Sequence, residues 1–478
     1  MNVVAGNGKS YPRLLLLEMN EIPWRVIDHY KGNPEYPNIG RFFSRADTYT
    51  TIATDEGELS PWVTWPTFHR GMGNLDHKVK NLGQDPSTFN GVPIWEEYLT
   101  RGRSIGVFGS MQSWPPKNPG PGGFYVPDTF AHDEKCFPEF IESFQKFNLG
   151  QVRKSGRVVA KSSFPVAEVR ALLFNLPQFG FKAKTLLEMA TQLVSERWNA
   201  NRRARRPIFQ TTLSWDIFSK LFTGHRPDFA TFFSNHVAGV MHRYWHHLFP
   251  EDFGGKYPNR PGVHKDTMDF AMKVTDRIIG EAISWTDVDP GLILVLATSM
   301  GQAAINRDGH EGIEASIPDL DKLMAWCGAA PDQYKPLLAM VPQVAVEIPS
   351  ASLRTRVKAQ LAAARNIAGT PLFLSEEIGD SLSVTIMTPP RGDALSGFFT
   401  PNEVSQERIP WEAAGIRMLE TEPGTAYHIP EGVMAVYRSG KWGRDVRMAM
   451  SATEAKAFLL SLSELDISVS LDKETSKA

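Results

Sequence analysis

Four short apolar segments, each ending in polar residues, divide the chain into regular units. They read RLLLLEMNE from Arg13, SIGVFGS from Ser104, DFATFFSN from Asp228 and GLILVLATS from Gly291. Continuous apolar runs of this length are typical of parallel strands that are buried on both faces. We therefore predict that these segments are strands of one sheet.

Amphipathic segments lie between these strands. GVPIWEEYLTRG precedes the second strand, and HKDTMDFAMKVTDRIIGEAISW precedes the fourth. Strands that alternate with helices predict an α/β fold with a central, mostly parallel sheet and helices on both faces. EGVMAVYRSG, from Glu431, predicts a strand that returns to this core, and SATEAKAFLLSLSEL, from Ser451, predicts a closing amphipathic helix.

Two stretches interrupt the alternation and predict insertions. Residues 126–210 are largely helical in pattern and punctuated by prolines, which favours a helical cap. Residues 306–424 contain a strand, a helix and a hairpin pattern, which favours a small inserted α+β subdomain. The core domain would then consist of residues 1–125, 211–305 and 425–478.

Composition narrows the class of protein. The 478 residues suffice for one large domain with insertions, and a net charge of −2 argues against a nucleic-acid partner. One local basic run, Arg202–Arg206, predicts a solvated helix face, with phosphate or lipid contact as the alternative. Cys136 and Cys327 do not make a disulfide framework, and we find neither a signal-peptide pattern nor a membrane span. We therefore expect a cytoplasmic protein.

Polar residues stand where each predicted strand ends. Ligands of open parallel sheets bind at the carboxyl ends of the strands. We therefore predict a substrate-binding role for the four polar residues at these ends, Asn20, Ser110, Asn235 and Ser299.

A hydroxyl group is predicted at the start of a helix in SPWVTWPTFHRGMG, which runs from Ser60 to Gly73. Thr64 follows a proline and precedes another, so it can lie near a helix N-terminus. There, free N–H groups and the helix dipole favour an anion. The alternative is that Thr64 only caps the helix.

Four histidines occur in FFSNHVAGVMHRYWHH, which runs from Phe232 to His247. Histidine is the commonest metal ligand and acid–base group near neutral pH. His246 lies one helical turn beyond His242 on the same face, whereas His236 and His247 are predicted to lie off it. A structural role for a single helical histidine is the alternative.

The order of these pieces resembles the alkaline phosphatase superfamily, and most closely its nucleotide pyrophosphatase/phosphodiesterase branch. The resemblance rests on the core strands, VTWPTFHRGM, VAGVMHRYW, LVLATSMG and YHIPEGVMAVYRSG with the closing helix, together roughly half of the chain. It implies two metal ions, usually zinc, that activate a Thr or Ser nucleophile for displacement at a phosphate ester.

Only part of the family's site is matched. Thr64 stands at the nucleophile, and His242 and His428 stand at metal-binding histidines. Positions where the family has carboxylate or histidine ligands hold poor ligands here: Asn20, Ala238, Ser299 and Met300. We therefore expect no dinuclear zinc centre and at most one divalent ion, zinc or manganese, at His242 and His428.

Carboxylates near these positions offer replacements. Glu18 and Glu21 flank Asn20, and the run DEGE from Asp55 to Glu58 precedes Thr64. The DEGE run is more typical of a solvated surface.

The sequence thus predicts a protein that hydrolyses or transfers a phosphate- or sulfate-type ester of a small molecule, such as a nucleotide or sugar phosphate. Thr64 would be the nucleophile or the anion anchor, and His242 and His428 would be acid–base groups or metal ligands. Two alternatives stay open, because function depends on the site and not on the fold. One is an inactive binding or regulatory pseudoenzyme, and the other is a metal-free transferase in carbohydrate or surface-polymer metabolism.

Overall fold

A computed structural model describes residues 11–57, 59–154, 176–254, 264–305, 315–337, 339, 343–366, 369–387, 397–400, 408–418 and 424–464. The strands in these ranges are β1 (Arg13–Met19), β2 (Asp47–Ile52), β3 (Ile105–Phe108), β4 (Phe124–Val126), β5 (Phe229–Ser234), β6 (Leu292–Ala297), β7 (Gly301–Ala304), β8 (Ala315–Ser316), β9 (Lys335–Leu337), β10 (Gln343–Glu347), β11 (Phe373–Ile378), β12 (Ser381–Ile386), β13 (Arg417–Met418), β14 (Ala426–Ile429), β15 (Glu431–Arg438) and β16 (Met448–Ser451).

The α-helices in the same ranges are α1 (Trp24–Lys31), α2 (Pro37–Phe43), α3 (Pro61–Arg70), α4 (Asn74–His77), α5 (Ile94–Thr100), α6 (Glu142–Lys154), α7 (Leu176–Phe179), α8 (Ala183–Ser195), α9 (Arg206–His225), α10 (His236–Leu248), α11 (Lys265–Val288), α12 (Leu320–Trp326), α13 (Ala351–Ala363) and α14 (Ala455–Leu462).

The central sheet has eight strands in the order β16-β2-β15-β6-β1-β5-β3-β4. All four segments predicted as strands, now β1, β3, β5 and β6, lie next to one another and run parallel. The returning strand β15 pairs antiparallel with β6 and β2. The predicted fold class, a mostly parallel sheet with helices, is confirmed.

Strand β1 lies in the middle of the sheet and is buried on both faces. Leu15 and Leu17 belong to one hydrophobic core, and Leu14 and Leu16 belong to the core on the opposite face. This follows from the alternation of side chains along a strand, and it explains why the four central residues of β1, Leu14–Leu17, are all apolar. The carboxyl end of β1 is therefore held rigidly between β5 and β6.

A second sheet lies apart from the first in sequence. It is antiparallel, in the order β11-β12-β10-β9, and it packs with α13 around a hydrophobic core of its own. These elements match the strand, helix and hairpin expected within 306–424. Helices α6, α7 and α8 lie within 126–210, whereas α9 runs across the boundary expected at 210. The five domain boundaries remain predictions.

Membrane-spanning helices were not expected. Within the described ranges, no helix combines the length and the apolar character needed to cross a bilayer.

Candidate metal centre

Three potential metal ligands meet at the carboxyl end of β1. The Oε2 atom of Glu21 lies 3.0 Å from Nε2 of His242 and 3.3 Å from Nε2 of His428. The three ligand atoms all lie within 4.8 Å of one another, and no other such group of three occurs among the described residues. The two histidines that the resemblance assigned to a metal are thus joined by a carboxylate that it did not assign.

Each ligand comes from a different element. Glu21 is the second residue after β1, His242 lies on α10, and His428 lies on β14. Glu21 has a φ of 63°, in the left-handed region that side chains other than glycine seldom adopt. This conformation costs about 1–2 kcal/mol, and such residues cluster at functional sites. It aims the Glu21 carboxylate at the histidines.

Backbone carbonyls fix the orientation of both imidazole rings. Nδ1 of His242 lies 3.0 Å from the carbonyl oxygen of Ala426, and Nδ1 of His428 lies 2.7 Å from that of Leu59. A carbonyl oxygen only accepts, so each Nδ1 carries a hydrogen and donates it. In a neutral ring, the lone pair of Nε2 then points towards Glu21. This is the usual arrangement of metal-binding histidines.

Three lone-pair-bearing atoms therefore face one another. Burial by itself would raise the pKa of Glu21, but His428 and His242 hold that pKa well below its usual range. The Glu21 carboxylate is therefore ionised. An ionised carboxylate that faces two Nε2 atoms is suited to a cation between them, either a proton on an imidazole ring or a metal ion.

Two amides hold the Glu21 carboxylate in place. Asn20 donates from Nδ2 to Oε1 over 2.6 Å, and Gln302 on β7 donates from Nε2 to Oε2. Gln302 also donates to the carbonyl oxygen of Ala238, and its own Oε1 is buried without a hydrogen-bond partner. Each carboxylate oxygen of Glu21 thus accepts a hydrogen bond from a neighbouring amide, and such hydrogen bonds commonly fix the orientation of metal ligands.

Asn20 connects this cluster to α3 and α10. Its Nδ2 also lies 2.6 Å from Oδ1 of Asn235, and its Oδ1 accepts a hydrogen bond of 2.8 Å from the indole of Trp65. Asn20 and Asn235 are therefore hydrogen-bonded to each other, and their predicted substrate-binding role remains a prediction. Their hydrogen bonds place them around Glu21, and Asn20 is almost fully buried.

Thr64 lies in the first turn of α3 but does not cap it. Ser60 is the N-cap residue, and the N–H of Thr64 donates to the carbonyl oxygen of Ser60 over 2.9 Å. The Thr64 hydroxyl lies 2.7 Å from the hydroxyl of Ser299, and both side chains are fully buried. The helix-capping alternative is therefore wrong, and the two predicted site residues Thr64 and Ser299 are in contact.

The fourth predicted substrate-binding residue has a separate partner. Ser110 is fully buried, and its hydroxyl lies 2.7 Å from the hydroxyl of Thr231 on β5. No described hydrogen bond links Ser110 directly to Glu21, His242 or His428.

His236 is a buried structural residue. Its Nδ1 lies 2.7 Å from the Ser234 hydroxyl, and its Nε2 lies 3.1 Å from the Ala271 carbonyl oxygen. Burial lowers the pKa of His236 to about 4, so this ring is neutral at pH 7. His246 stacks with His247 at a ring separation of 3.9 Å and does not join the cluster of potential ligands.

The carboxylates noted beside the site differ in their surroundings. Glu18 is fully buried and pairs with His69 over 2.7 Å. Asp55 is half-buried and accepts a hydrogen bond from Thr67, so it is not a freely solvated member of the DEGE run. Glu58 lies outside the described residues. Glu21 is the carboxylate that reaches the histidines, because it lies in the turn after β1 with its backbone in the left-handed region.

The donor set fits one divalent ion. Two imidazole nitrogens and one carboxylate are common ligands of zinc and also suit manganese. A second ion would need carboxylate or histidine ligands near Thr64. Asn20, Ser299 and Met300 occupy the corresponding positions, and a neutral amide, a hydroxyl and a thioether do not replace them. The residues present therefore fit a mononuclear site.

Comparison with known proteins gives structural matches only. No protein-family model and no curated protein matches the sequence. Murine ectonucleotide pyrophosphatase / phosphodiesterase 5 matches over 95% of both chains, with 11% identity and a TM-score of 0.45. The human protein of the same name matches over 95% of both chains, with 12% identity and a TM-score of 0.45.

A third solved structure is an inactive variant of the murine protein in complex with AMP. It covers 95% of this chain and 96% of its own, with 11% identity and a TM-score of 0.44. These three structures align with nearly the whole of this chain at low sequence identity.

Proposed function

We propose that this protein hydrolyses or transfers a phosphate-type ester of a small molecule, with one divalent metal ion held by Glu21, His242 and His428. The observation that carries the proposal is the convergence of one carboxylate oxygen and two Nε2 atoms within 4.8 Å. The hydrogen bonds from both Nδ1 atoms to carbonyl oxygens support it, because they leave Nε2 available for a metal.

The chain's own residues have distinct tasks in this proposal. A bound divalent ion would polarise a phosphoryl oxygen and lower the pKa of a water molecule. Glu21 would offset part of the ion's charge, and Asn20 and Gln302 would keep its carboxylate in one orientation. His242 lies on the more accessible side of the cluster, with 22% of its side chain exposed, so substrate would approach from there.

The start of α3 is suited to the phosphate group. Leu59, which holds His428 through its carbonyl oxygen, directly precedes the N-cap Ser60. Helix N-termini favour anions because free N–H groups and the helix dipole point at them. We propose Thr64 as nucleophile or anion anchor beside this end. Its hydroxyl is bound to Ser299, so substrate would have to replace Ser299 as its partner.

Metal loading and turnover test this proposal together. Purified protein is freed of metal with a chelator and reloaded with zinc or manganese, and bound metal is counted by mass spectrometry. Turnover is then measured with bis(p-nitrophenyl) phosphate, p-nitrophenyl phosphate, a nucleotide and a sugar phosphate. We expect about one ion per chain, in line with a single set of three ligands, and activity that depends on it.

Glu21→Gln should lose both metal and turnover, because the amide keeps the size of the side chain but lacks its charge. Glu431→Gln is the matched control, because Glu431 is exposed and has no role in the cluster. A protein that binds no metal contradicts the proposal. One ion per chain without turnover on any substrate would favour the pseudoenzyme alternative. Two tightly held ions per chain would contradict the mononuclear site.

A further inference from the structure

Helix α8 buries polar side chains and leaves most of its apolar side chains exposed, although Met189 packs against the core. Thr185, Gln192 and Glu196, which lie on one side of α8 and at its end, are buried. The apolar side chains on the opposite side are exposed: Leu186 (39%), Leu187 (68%), Leu193 (50%), Val194 (53%) and, just beyond the helix, Trp198 (80%). A surface helix normally buries its apolar side, so the arrangement in α8 is inverted.

The polar side of α8 is firmly attached to the rest of the protein. Gln192 donates to Oε1 of Glu196 over 2.9 Å and to the carbonyl oxygen of Arg202 over 2.7 Å. Two guanidinium nitrogens of Arg206, Nε and Nη2, donate to the carboxylate of Glu196, and the shorter distance is 2.7 Å. Glu188 pairs with Arg277 on α11 over 2.8 Å. These contacts fix which side of α8 faces outward.

The exposed residues form one continuous face. Leu186, Leu187, Leu193 and Val194 stand at relative positions 0, 1, 7 and 8, which share one side of an α-helix. Single exposed apolar residues are ordinary, whereas a contiguous group of this kind marks an interaction surface. We call Leu186, Leu187, Leu193, Val194 and Trp198 the α8 face.

The surroundings of the α8 face are strongly basic. Residues 182–206 contain seven Lys or Arg and two Glu, a net charge of +5, although the whole chain carries −2. Both glutamates take part in the ion pairs described above. Arg197 directly precedes Trp198 in sequence, and Arg202 and Arg203 follow within five residues of it; all three arginines are exposed. The α8 face therefore occurs in a segment that is both apolar and cationic on its exposed side.

We propose that the α8 face docks onto the surface of a lipid bilayer that contains anionic lipids. Leucine, valine and tryptophan side chains would enter the boundary between headgroups and acyl chains, and the arginines would contact lipid phosphates. A second copy of this chain is the less suitable occupant. Two α8 faces brought together would gather the net charge of +5 of both 182–206 segments at one interface, and such like-charge contacts are unfavourable.

This docking is peripheral. It requires no membrane-spanning helix, and it corresponds to the lipid-contact alternative for the run Arg202–Arg206. It is also independent of the metal centre, because none of the α8-face residues belongs to the metal cluster.

Vesicle sedimentation tests the proposal with the full-length chain. The protein is mixed with vesicles of pure phosphatidylcholine or with phosphatidylcholine vesicles in which about 30% of the lipid is anionic phosphatidylserine. We expect binding to the anionic vesicles that weakens as salt is raised, since electrostatic attraction is screened. Arg202→Gln with Arg203→Gln should lower the partition coefficient about 30-fold, from about 1 kcal/mol for each arginine.

Apolar contact is tested separately. Leu187→Gln with Leu193→Gln should reduce binding by at least about tenfold, because two leucines no longer enter the bilayer. Leu374→Gln is the matched control, since Leu374 is 55% exposed on β11, away from the α8 face. Melting temperatures confirm that each variant is folded.

Two results would overturn the proposal. The first is equal binding of wild type and the leucine variant to anionic vesicles, or no binding by either. The second is a dimer in light scattering that Leu187→Gln with Leu193→Gln converts to monomer, which would assign the α8 face to a second copy of the chain.

Discussion

The carboxylate of Glu21 lies 3.0 Å from Nε2 of His242, and the two residues come from the turn after β1 and from α10, which follows the neighbouring strand β5. The Nδ1 hydrogen of His242 is already donated to the Ala426 carbonyl oxygen. The Glu21 carboxylate and Nε2 of His242 are therefore placed to share a proton or a metal ion.

Replacing each histidine by asparagine should remove metal binding while preserving the fold. The amide of asparagine can take over the hydrogen bond that Nδ1 makes to Ala426 or Leu59, but nothing replaces Nε2. His242→Asn and His428→Asn should therefore keep a melting temperature close to that of metal-free wild type. Isothermal titration with zinc should show affinity at least about tenfold weaker.

The alanine variants serve as the comparison. His242→Ala and His428→Ala lose the Nδ1 donor as well, so each should be less stable than its asparagine counterpart by about 1 kcal/mol. Unchanged zinc affinity in the asparagine variants would contradict the assignment of both histidines as ligands.

Glycine at position 21 should give a more stable metal-free protein than alanine at the same position. Both Glu21→Gly and Glu21→Ala remove the carboxylate, so they lose the same contacts with His242 and His428. Only glycine adopts the φ of 63° without strain, which should favour Glu21→Gly by about 1 kcal/mol. Urea unfolding in the presence of a chelator measures the difference, and an equal or higher stability of the alanine variant would show that the backbone relaxes there.

The Thr64 hydroxyl should matter to both folding and turnover. Thr64→Val keeps the shape of the side chain but leaves the Ser299 hydroxyl without this buried hydrogen bond, at a cost of about 1–3 kcal/mol in unfolding free energy. Adding Ser299→Ala should recover part of that cost, because neither hydroxyl then remains. Additive effects in this double-mutant cycle would show that the two side chains do not interact.

Kinetics of the same variant separate the two roles proposed for Thr64. If Thr64 is the nucleophile, Thr64→Val abolishes turnover, whereas Thr64→Ser retains it. If Thr64 is an anchor, substrate binding weakens by about 1 kcal/mol and turnover continues. Full activity of folded Thr64→Val would exclude both roles.

Stability should fall in mild acid because of His236. Burial lowers the pKa of this ring to about 4 in the folded protein, against 6.5 for an exposed histidine. Between these two pH values the unfolded chain binds a proton and the folded chain does not, so stability decreases as pH falls from 6.5 to 4. The loss reaches roughly 3 kcal/mol at the lower end of this window.

Unfolding of wild type and His236→Gln across this pH range isolates the contribution of His236, because other groups titrate in both proteins. The unfolding free energy of wild type should decrease relative to that of His236→Gln as the pH falls from 6.5 to 4. A constant difference would show that the pKa of His236 is the same in the folded and the unfolded protein.

Local sequence patterns determined the core of this protein. The uniformly apolar segments of β1, β3, β5 and β6 specify buried parallel strands, because only strands covered on both faces need apolar residues at every position. The same patterns placed Asn20, Asn235 and Ser299 at strand ends, and the resemblance paired His242 with His428. These were predictable because they depend on period, strand polarity and order along the chain.

Only the tertiary structure decided which group completes the cluster. In sequence, Glu18, Glu21 and the DEGE run that begins at Asp55 all offered replacements for the missing carboxylate, although the DEGE run was more typical of a solvated surface. The turn after β1 directs Glu21 to the histidines, whereas Glu18 points to His69 on α3 and Asp55 to Thr67. The inverted helix α8 was equally unpredictable, because a helical pattern gives the position of its apolar side but not which side faces the protein. That choice depends on long-range ion pairs such as Glu196 with Arg206 and Glu188 with Arg277, which exist only once the chain has folded.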